Sequence, residues 1–200
     1  GKLGLIWIDA HLDAHTDQST HSGNIHGMPL AALLGIGDES LTGLPGPHLD
    51  PAHVAIVGAR SWEPEELELL QKLGVKIFFM PEVQARGLPA VLCEAMTIAR
   101  TGTAGFGVSV DLDSMDCAAL PATTCLVPDG LDPQELVDAL RRGRYDAVVA
   151  NPPYITVKDK ALNAGYRERY NYLKGKYQLT APFMELLFKL AKRGDAATQA

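Results

Sequence analysis

Leu3-Gly4-Leu5-Ile6-Trp7-Ile8-Asp9-Ala10-His11-Leu12-Asp13 decides how the chain folds. Six residues without a charge end abruptly in two carboxylates and an imidazole. A short apolar run of that length reads as a strand buried on both faces, as in a parallel sheet. The pattern recurs at Gly105-Phe106-Gly107-Val108-Ser109-Val110, which runs into Asp111-Leu112-Asp113. In α/β proteins the C-terminal ends of parallel strands are where ligand sites form. Asp is also common in ordinary strand-end turns, and a lone Asp would be read that way. Two such runs are different, because carboxylates packed this densely repel one another unless cations lie between them. Asp9, His11, Asp13, Asp111 and Asp113 are therefore candidate metal ligands, about five hard donors, enough for a pair of divalent ions.

Outward from these runs, apolar segments alternate with helical patterns. Residues 3–8, 54–57, 75–79, 106–110 and 147–150 are expected as strands buried on both faces. Residues 64–73, 89–100 and 133–142 are expected as helices, the first with Pro64 in its opening turn and Gly74 as its stop. Residues 28–34 are helix-like, and the Gly- and Pro-rich stretch 35–51 reads as a surface loop. Strand–helix alternation predicts a parallel sheet with helices on both sides.

Composition sets further bounds. The 200 residues are 46% hydrophobic, enough for a sizeable core. No apolar run is long enough to cross a bilayer, so no membrane partner is expected. The chain opens on Gly1 and enters a strand almost at once, which reads as an entry partway into a domain. Three cysteines, Cys93, Cys117 and Cys125, form no C-x-x-C pair and favour a reduced, cytoplasmic setting. The net charge of −6 divides unevenly. Residues 1–130 hold 6 Lys and Arg against 16 Asp and Glu, a net of −10, whereas residues 131–200 hold 12 against 8, a net of +4. All six histidines precede residue 54, so the acidic part is also the His-rich part. Between Asp13 and the helix-like segment lies a polar loop, residues 15–27, a natural wall for a substrate, in which His26 could shuttle protons near neutral pH.

The run from Leu5 to Thr16, followed by Ser22-Gly23-Asn24-Ile25-His26-Gly27-Met28-Pro29, closely resembles the ureohydrolase family of arginases, agmatinases and formiminoglutamases. The resemblance continues through Val57-Gly58-Ala59-Arg60-Ser61, Glu63-Pro64-Glu65-Glu66 and residues 105–113, covering about residues 1–130. It implies a three-layer α/β/α sandwich, two Mn2+ ions with a bridging hydroxide, and attack on the carbon of a linear amidine or guanidine substrate. It further implies that Asp9, His11, Asp13, Asp111 and Asp113 ligate the ions, that His26 and Asp13 are catalytic, and that His15, Ser22, Asn24, Glu63 and Glu66 face the substrate. The family is commonly trimeric or hexameric, so a homo-oligomer is expected. Several departures accompany the match. The family's upstream Gly-Gly-Asp-His ligand does not occur here, the run Asp116 to Cys125 replaces the usual Asp-Pro, Ala-Pro-Gly and Gly-Thr-Pro continuation, and a later guanidinium-gripping Glu has no counterpart. The expectation is weak, unequal metal binding and little hydrolysis.

A second constellation begins at Tyr145-Asp146-Ala147-Val148-Val149-Ala150, which runs into Asn151-Pro152-Pro153-Tyr154. These residues resemble the motif of methyltransferases acting on the exocyclic amine of adenine in DNA, where Asn and a proline carbonyl hold the amine and Tyr stacks on a flipped base. Residues 155–163, then Tyr166-Arg167-Glu168-Arg169-Tyr170 and Pro182-Phe183-Met184-Glu185, extend the likeness to the methyltransferases of phage-exclusion (BREX-type) systems over about residues 144–195. No Gly-rich turn for S-adenosylmethionine precedes Asn151, so cofactor binding is not expected. The basic, Tyr-interleaved run 158–177 would suit weak contact with a nucleic-acid backbone or simply form a solvated surface. The resulting organisation is a partial ureohydrolase-like domain truncated at its N-terminus (1–130), a junction (131–144) and a mostly helical methyltransferase-like fragment (145–200). Three readings stand at this point: a ureohydrolase-like hydrolase, an adenine methyltransferase fragment, and a non-catalytic fusion product.

Overall fold

A computed structural model describes residues 1–43, 45–116, 127–140, 164 and 167. Four strands, β1 (Leu3–Ile8), β2 (Val54–Ala59), β3 (Lys76–Phe79) and β4 (Gly105–Val110), form a wholly parallel sheet in the order β3-β2-β1-β4. The helices are α1 (Pro29–Leu33), α2 (Glu39–Thr42), α3 (Pro64–Leu73), α4 (Met80–Arg86), α5 (Leu88–Arg100) and α6 (Pro133–Leu140). None among the described residues is long and apolar enough to cross a membrane. By internal contacts the chain divides into two compact units, Gly1–Leu136 and Val137–Ala200.

The strand order explains the layers. From β1 the chain steps to β2 and then β3, and afterwards returns to the far side of β1 as β4. Right-handed crossovers that reverse direction must place their helices on opposite faces. Accordingly, Val54, Ile56 and Ile77 share one core cluster with Leu30 and Leu34 at α1 and Leu70 of α3, and Leu5 and Trp7 pack against it. Alternation along β1 turns Gly4, Ile6 and Ile8 to the other face, where α5 covers β1 and β2. The result is a three-layer α/β/α arrangement whose strand order reverses between β1 and β4.

Among the described strands, only β2 is buried along its whole length on both faces as expected. In β1 the Leu5 and Trp7 face is only half-buried, and Gly107 and Val110 of β4 are exposed because β4 ends the sheet among the described residues. Helix α4 was not anticipated. It follows β3 with no intervening turn, so its apolar start at Met80 continues the strand run in sequence, although Pro81 in its opening turn and Gly87 at its end are the same start and stop signals that mark α3. The stretch 35–51 carries α2, capped by Asp38, whose side chain accepts from Ser40 N at 2.8 Å. The expected strand 147–150, the Asn151-Pro152-Pro153-Tyr154 motif, the basic run apart from residues 164 and 167, and the stretch holding Cys117 and Cys125 lie outside the described residues.

Gly4 shows how tightly the layers meet. A Cβ there would stand 1.9 Å from the Ala99 carbonyl oxygen and 2.6 Å from its carbon, both in the backbone of α5. A methyl group must therefore push the helix off the sheet, at a cost of about 1–3 kcal/mol or more. Gly4→Ala should lower the unfolding free energy by that amount and the urea midpoint with it, whereas Gly107→Ala, whose Cβ would meet only Leu5 Cδ1 at 3.9 Å, should not. Equal midpoints for the two variants would show that α5 is not held against β1 at this point.

Candidate metal centre

Because β1 and β4 are parallel neighbours with Ile8 opposite Val110, their C-terminal ends coincide. Asp111 N donates to Ile8 O at 2.9 Å and Asp9 N to Val57 O at 3.1 Å, so both acidic runs leave the sheet together. Each then turns on its own carboxylate. Asp9 Oδ1 accepts from His11 N at 2.8 Å, and Asp111 Oδ1 accepts from Asp113 N at 3.0 Å. These Asx turns swing His11 and Asp113 back toward Asp9. His11 Nδ1 lies 3.1 Å from Asp113 Oδ2 and 3.5 Å from Asp9 Oδ1, and Asp113 Oδ1 accepts from Ala10 N at 3.4 Å. Asp9, His11 and Asp113 each present a ligand atom, all within 4.8 Å of one another.

Asp13 enters by a different device. Its backbone is left-handed, φ 49°, which Asp tolerates better than most residues. That conformation turns its carbonyl to accept from Leu30 N at 2.9 Å, so the start of α1 is anchored on the ligand loop.

The electrostatics follow from crowding. Burial, then the Asp9 charge, pushes the Asp13 carboxyl up to about 8, with Asp111 adding to the effect. Burial also raises Asp9 against hydrogen bonds from His11, and raises Asp111, although much of that residue's surface is open. Burial works to raise Asp113 too, but the His11 imidazole holds it below its usual value. Hydrogen bonds to Asp113 and Asp9 lift His11 to about 11. A proton on His11 thus does part of the neutralising that a cation would do. Among the described residues the grouped donors are those of Asp9, His11 and Asp113, with Asp13 and Asp111 outside that group; carboxylates and an imidazole are hard and borderline donors, the kind that suits Mn2+ and its neighbours. The residues fit such ions.

A second cluster flanks the first. His15 Nε2 lies 2.8 Å from Glu63 Oε2 and 3.6 Å from Glu66 Oε2, and its Nδ1 lies 3.1 Å from Ser19 Oγ. Glu63 and Glu66 form a capping box at the start of α3. Glu66, 3% exposed, accepts from Ala14 N and Glu63 N at 3.0 Å each, which ties α3 to the ligand loop. Glu63 is half-exposed, and the His15 hydrogen bond holds its carboxyl low. Of the residues expected to face the substrate, His15, Glu63 and Glu66 therefore meet one another. Ser22 and Asn24 are exposed on the loop, with Asn24 N donating to Ser22 Oγ at 3.2 Å, and His26 is exposed on a one-turn 3-10 helix, Ile25–Gly27.

Sequence reasoning missed two contributors. His21, whose ring centroid is 6.0 Å from that of His15, lies 3.4 Å from Glu65. Arg60 was noticed only as part of a motif, yet its guanidinium reaches the carbonyls of Asp113, Ser114 and Met115. The signal available was Gly58 two residues earlier, which marks a bulge.

Both the sequence and the fold have counterparts among known proteins. The arginase from Bacillus caldovelox is 40% identical over 158 residues, 78% of this chain and 53% of that protein. Its native structure superposes with a TM-score of 0.67 at 39% identity, covering 70% of this chain and 48% of the other. The Entamoeba histolytica arginase, solved in complex with L-ornithine, gives a TM-score of 0.66 at 29% identity, covering 70% and 48%. The chain spans about half the length of the curated relatives it matches. A separate likeness, 60% identity over 65 residues, links 32% of the chain to 5% of the adenine-specific methyltransferase PglX of Streptomyces coelicolor. The model of the arginase family matches residues 1–164, and the chain belongs to that family.

Proposed function

We propose that the site at the β1 and β4 ends hydrolyses the C–N bond of a guanidinium substrate, L-arginine in the first instance, with two Mn2+ ions held by Asp9, His11, Asp13, Asp111 and Asp113. The observation that carries this reading is the convergence of Asp9, His11 and Asp113 within 4.8 Å at the point where strand order reverses. The choice of guanidinium is supported by the relatives named arginase and by the ornithine complex of one of them. Such ions acidify water, making hydroxide available near neutral pH. Water oxygen bonds to the guanidinium carbon, the bond to the alkyl nitrogen breaks, and urea and a primary amine leave. Asp13 holds the attacking water's proton and His26 passes a proton to the departing nitrogen. His15, Ser22, Asn24 and Glu63 bind the substrate's far end, its ammonium exchanging with the His15 contact on Glu63, while Glu66, both of whose oxygens take backbone N–H groups, supports that wall from behind. The reading includes slow turnover, because the run 116–125 lacks the glycines that the resemblance calls for after Asp113.

The methyltransferase likeness supports a second, local reading. The C-terminal segment carrying Asn151, Pro152, Pro153 and Tyr154 is a methyltransferase-like piece joined to the arginase-like part, and its basic run contacts nucleic acid weakly. The 60% identity to PglX over 65 residues is the observation in its favour.

Two measurements test the main reading. Asp13 is raised from 3.8 to about 8, so the metal-free fold disfavours its ionised form and loses stability as pH climbs toward 8. His11 is raised from 6.5 to about 11, so its stabilisation is complete below 6.5 and drains away as pH rises toward 11. Both changes run downward between pH 6.5 and 8. In chelator the thermal midpoint should fall across that window, and excess manganese should remove the fall; a flat or rising midpoint in chelator would contradict the crowding. In the second measurement, urea released from L-arginine should depend on manganese and drop at least about 100-fold in Asp113→Asn. Release that survives chelation, persists in Asp113→Asn, or never rises with manganese would sink the hydrolase reading.

A further inference from the structure

We infer that Arg60 is a positioning residue for the metal centre: it braces the loop that carries Asp9 and His11 against the loop that carries Asp113, and so sets how tightly divalent ions are held. The inference rests on the reading of those three residues as ligands. Arg60 works from both its backbone and its side chain. Arg60 N and Ser61 N donate to Ala10 O at 2.9 and 3.0 Å, and Ala10 is the residue between Asp9 and His11. The guanidinium reaches in the other direction. Nη2 donates to Asp113 O at 2.7 Å, Val127 O at 2.9 Å and Met115 O at 3.3 Å. Nη1 donates to Ser114 O at 3.2 Å and Gly58 O at 3.3 Å, and Nε to Pro128 O at 2.9 Å.

Six carbonyl oxygens thus converge on one planar group with five N–H donors, so at least one N–H is shared. Only a guanidinium presents donors across such a span; an ammonium offers three from a single point. The carbonyls also bring their negative ends together, and the fixed positive charge is what makes that convergence tolerable. Because these bonds end on carbonyls, they tie the ligand loop by its backbone without drawing on the carboxylates. Asp113 Oδ1 meanwhile takes Ala10 N, so the same two loops are joined on the ligand side. The sheet aims Arg60 there through a bulge: the β2–β3 register shifts between Val57 and Ala59, and Gly58, at φ 95°, occupies a conformation that disfavours side chains.

The deciding comparison is manganese affinity, read from the paramagnetic resonance of free Mn2+ during titration, in the full chain and in Arg60→Lys, Arg60→Met and Leu92→Ala. Leu92 is a buried residue of α5, part of neither ligand-bearing loop, and reports a purely structural lesion. Circular dichroism at the titration temperature fixes the folded fraction of each. Arg60→Lys keeps a charge but not the fork, and should weaken manganese binding about 10- to 100-fold, as loss of a ligand's outer support typically does. Arg60→Met should do at least as much, and Leu92→Ala should bind as the unaltered chain does per folded molecule. Unchanged affinity in Arg60→Lys, or an equal loss in Leu92→Ala, would overturn the positioning role while leaving the metal site intact. A wild-type chain that binds no manganese would overturn the metal reading itself, and this inference with it.

Discussion

Four carboxylates at the mouth of a buried parallel sheet have to be neutralised locally, and most of the local structure follows from that requirement. Asp9 is 2% exposed and Asp113 9%, too little for water to screen their charges. Without a cation the fold answers with a proton on His11 shared between them and with a carboxyl at Asp13 that resists ionisation. Both are compromises a divalent ion would relieve. Such a cluster is tolerable only if the backbone beneath it is immovable, and β1 supplies that, paired on both sides and pressed against α5 at Gly4.

Much of this architecture was legible in the sequence, for a physical reason. Strands buried in a parallel sheet are continuous apolar runs, and ligands at their ends appear as an abrupt change of polarity. Leu3–Ile8 and Gly105–Val110 announce themselves in that way, as does α3 with Pro64 at its start. What could not be read was geometry that depends on partners distant in sequence. Arg60 looks like any charged residue after a strand, and all but one of its six carbonyl partners lie more than fifty positions away. The left-handed backbone of Asp13 leaves no trace in composition. Helix α4 continues the apolar run of β3 without a break, which hides the signals of Pro81 and Gly87, and the exposure of β4 depends on which strands stand beside it rather than on its own residues.

The pair Glu63 and Glu66 shows where resemblance and geometry meet. By likeness they belong to the substrate's far end. In the fold Glu66 has both oxygens occupied by backbone N–H groups, whereas Glu63 keeps half its surface open and leans on His15. A capping box therefore also serves as a strut between α3 and the ligand loop, and only its outer member remains accessible.

The two tryptophans stand in contrasting surroundings, with an optical consequence. Trp7 lies on β1 two residues before Asp9, packed on the α1 and α3 core with its indole N–H enclosed and without a hydrogen-bond partner. Trp62, 39% exposed, packs at a tilt against Phe79, with ring centroids 4.8 Å apart, beside Glu63. An indole in apolar surroundings emits to the blue of one in contact with water, and only the latter meets a dissolved quencher. The chain thus carries two native fluorophores of different colour and accessibility, one reading the floor of the acidic cluster and the other its rim.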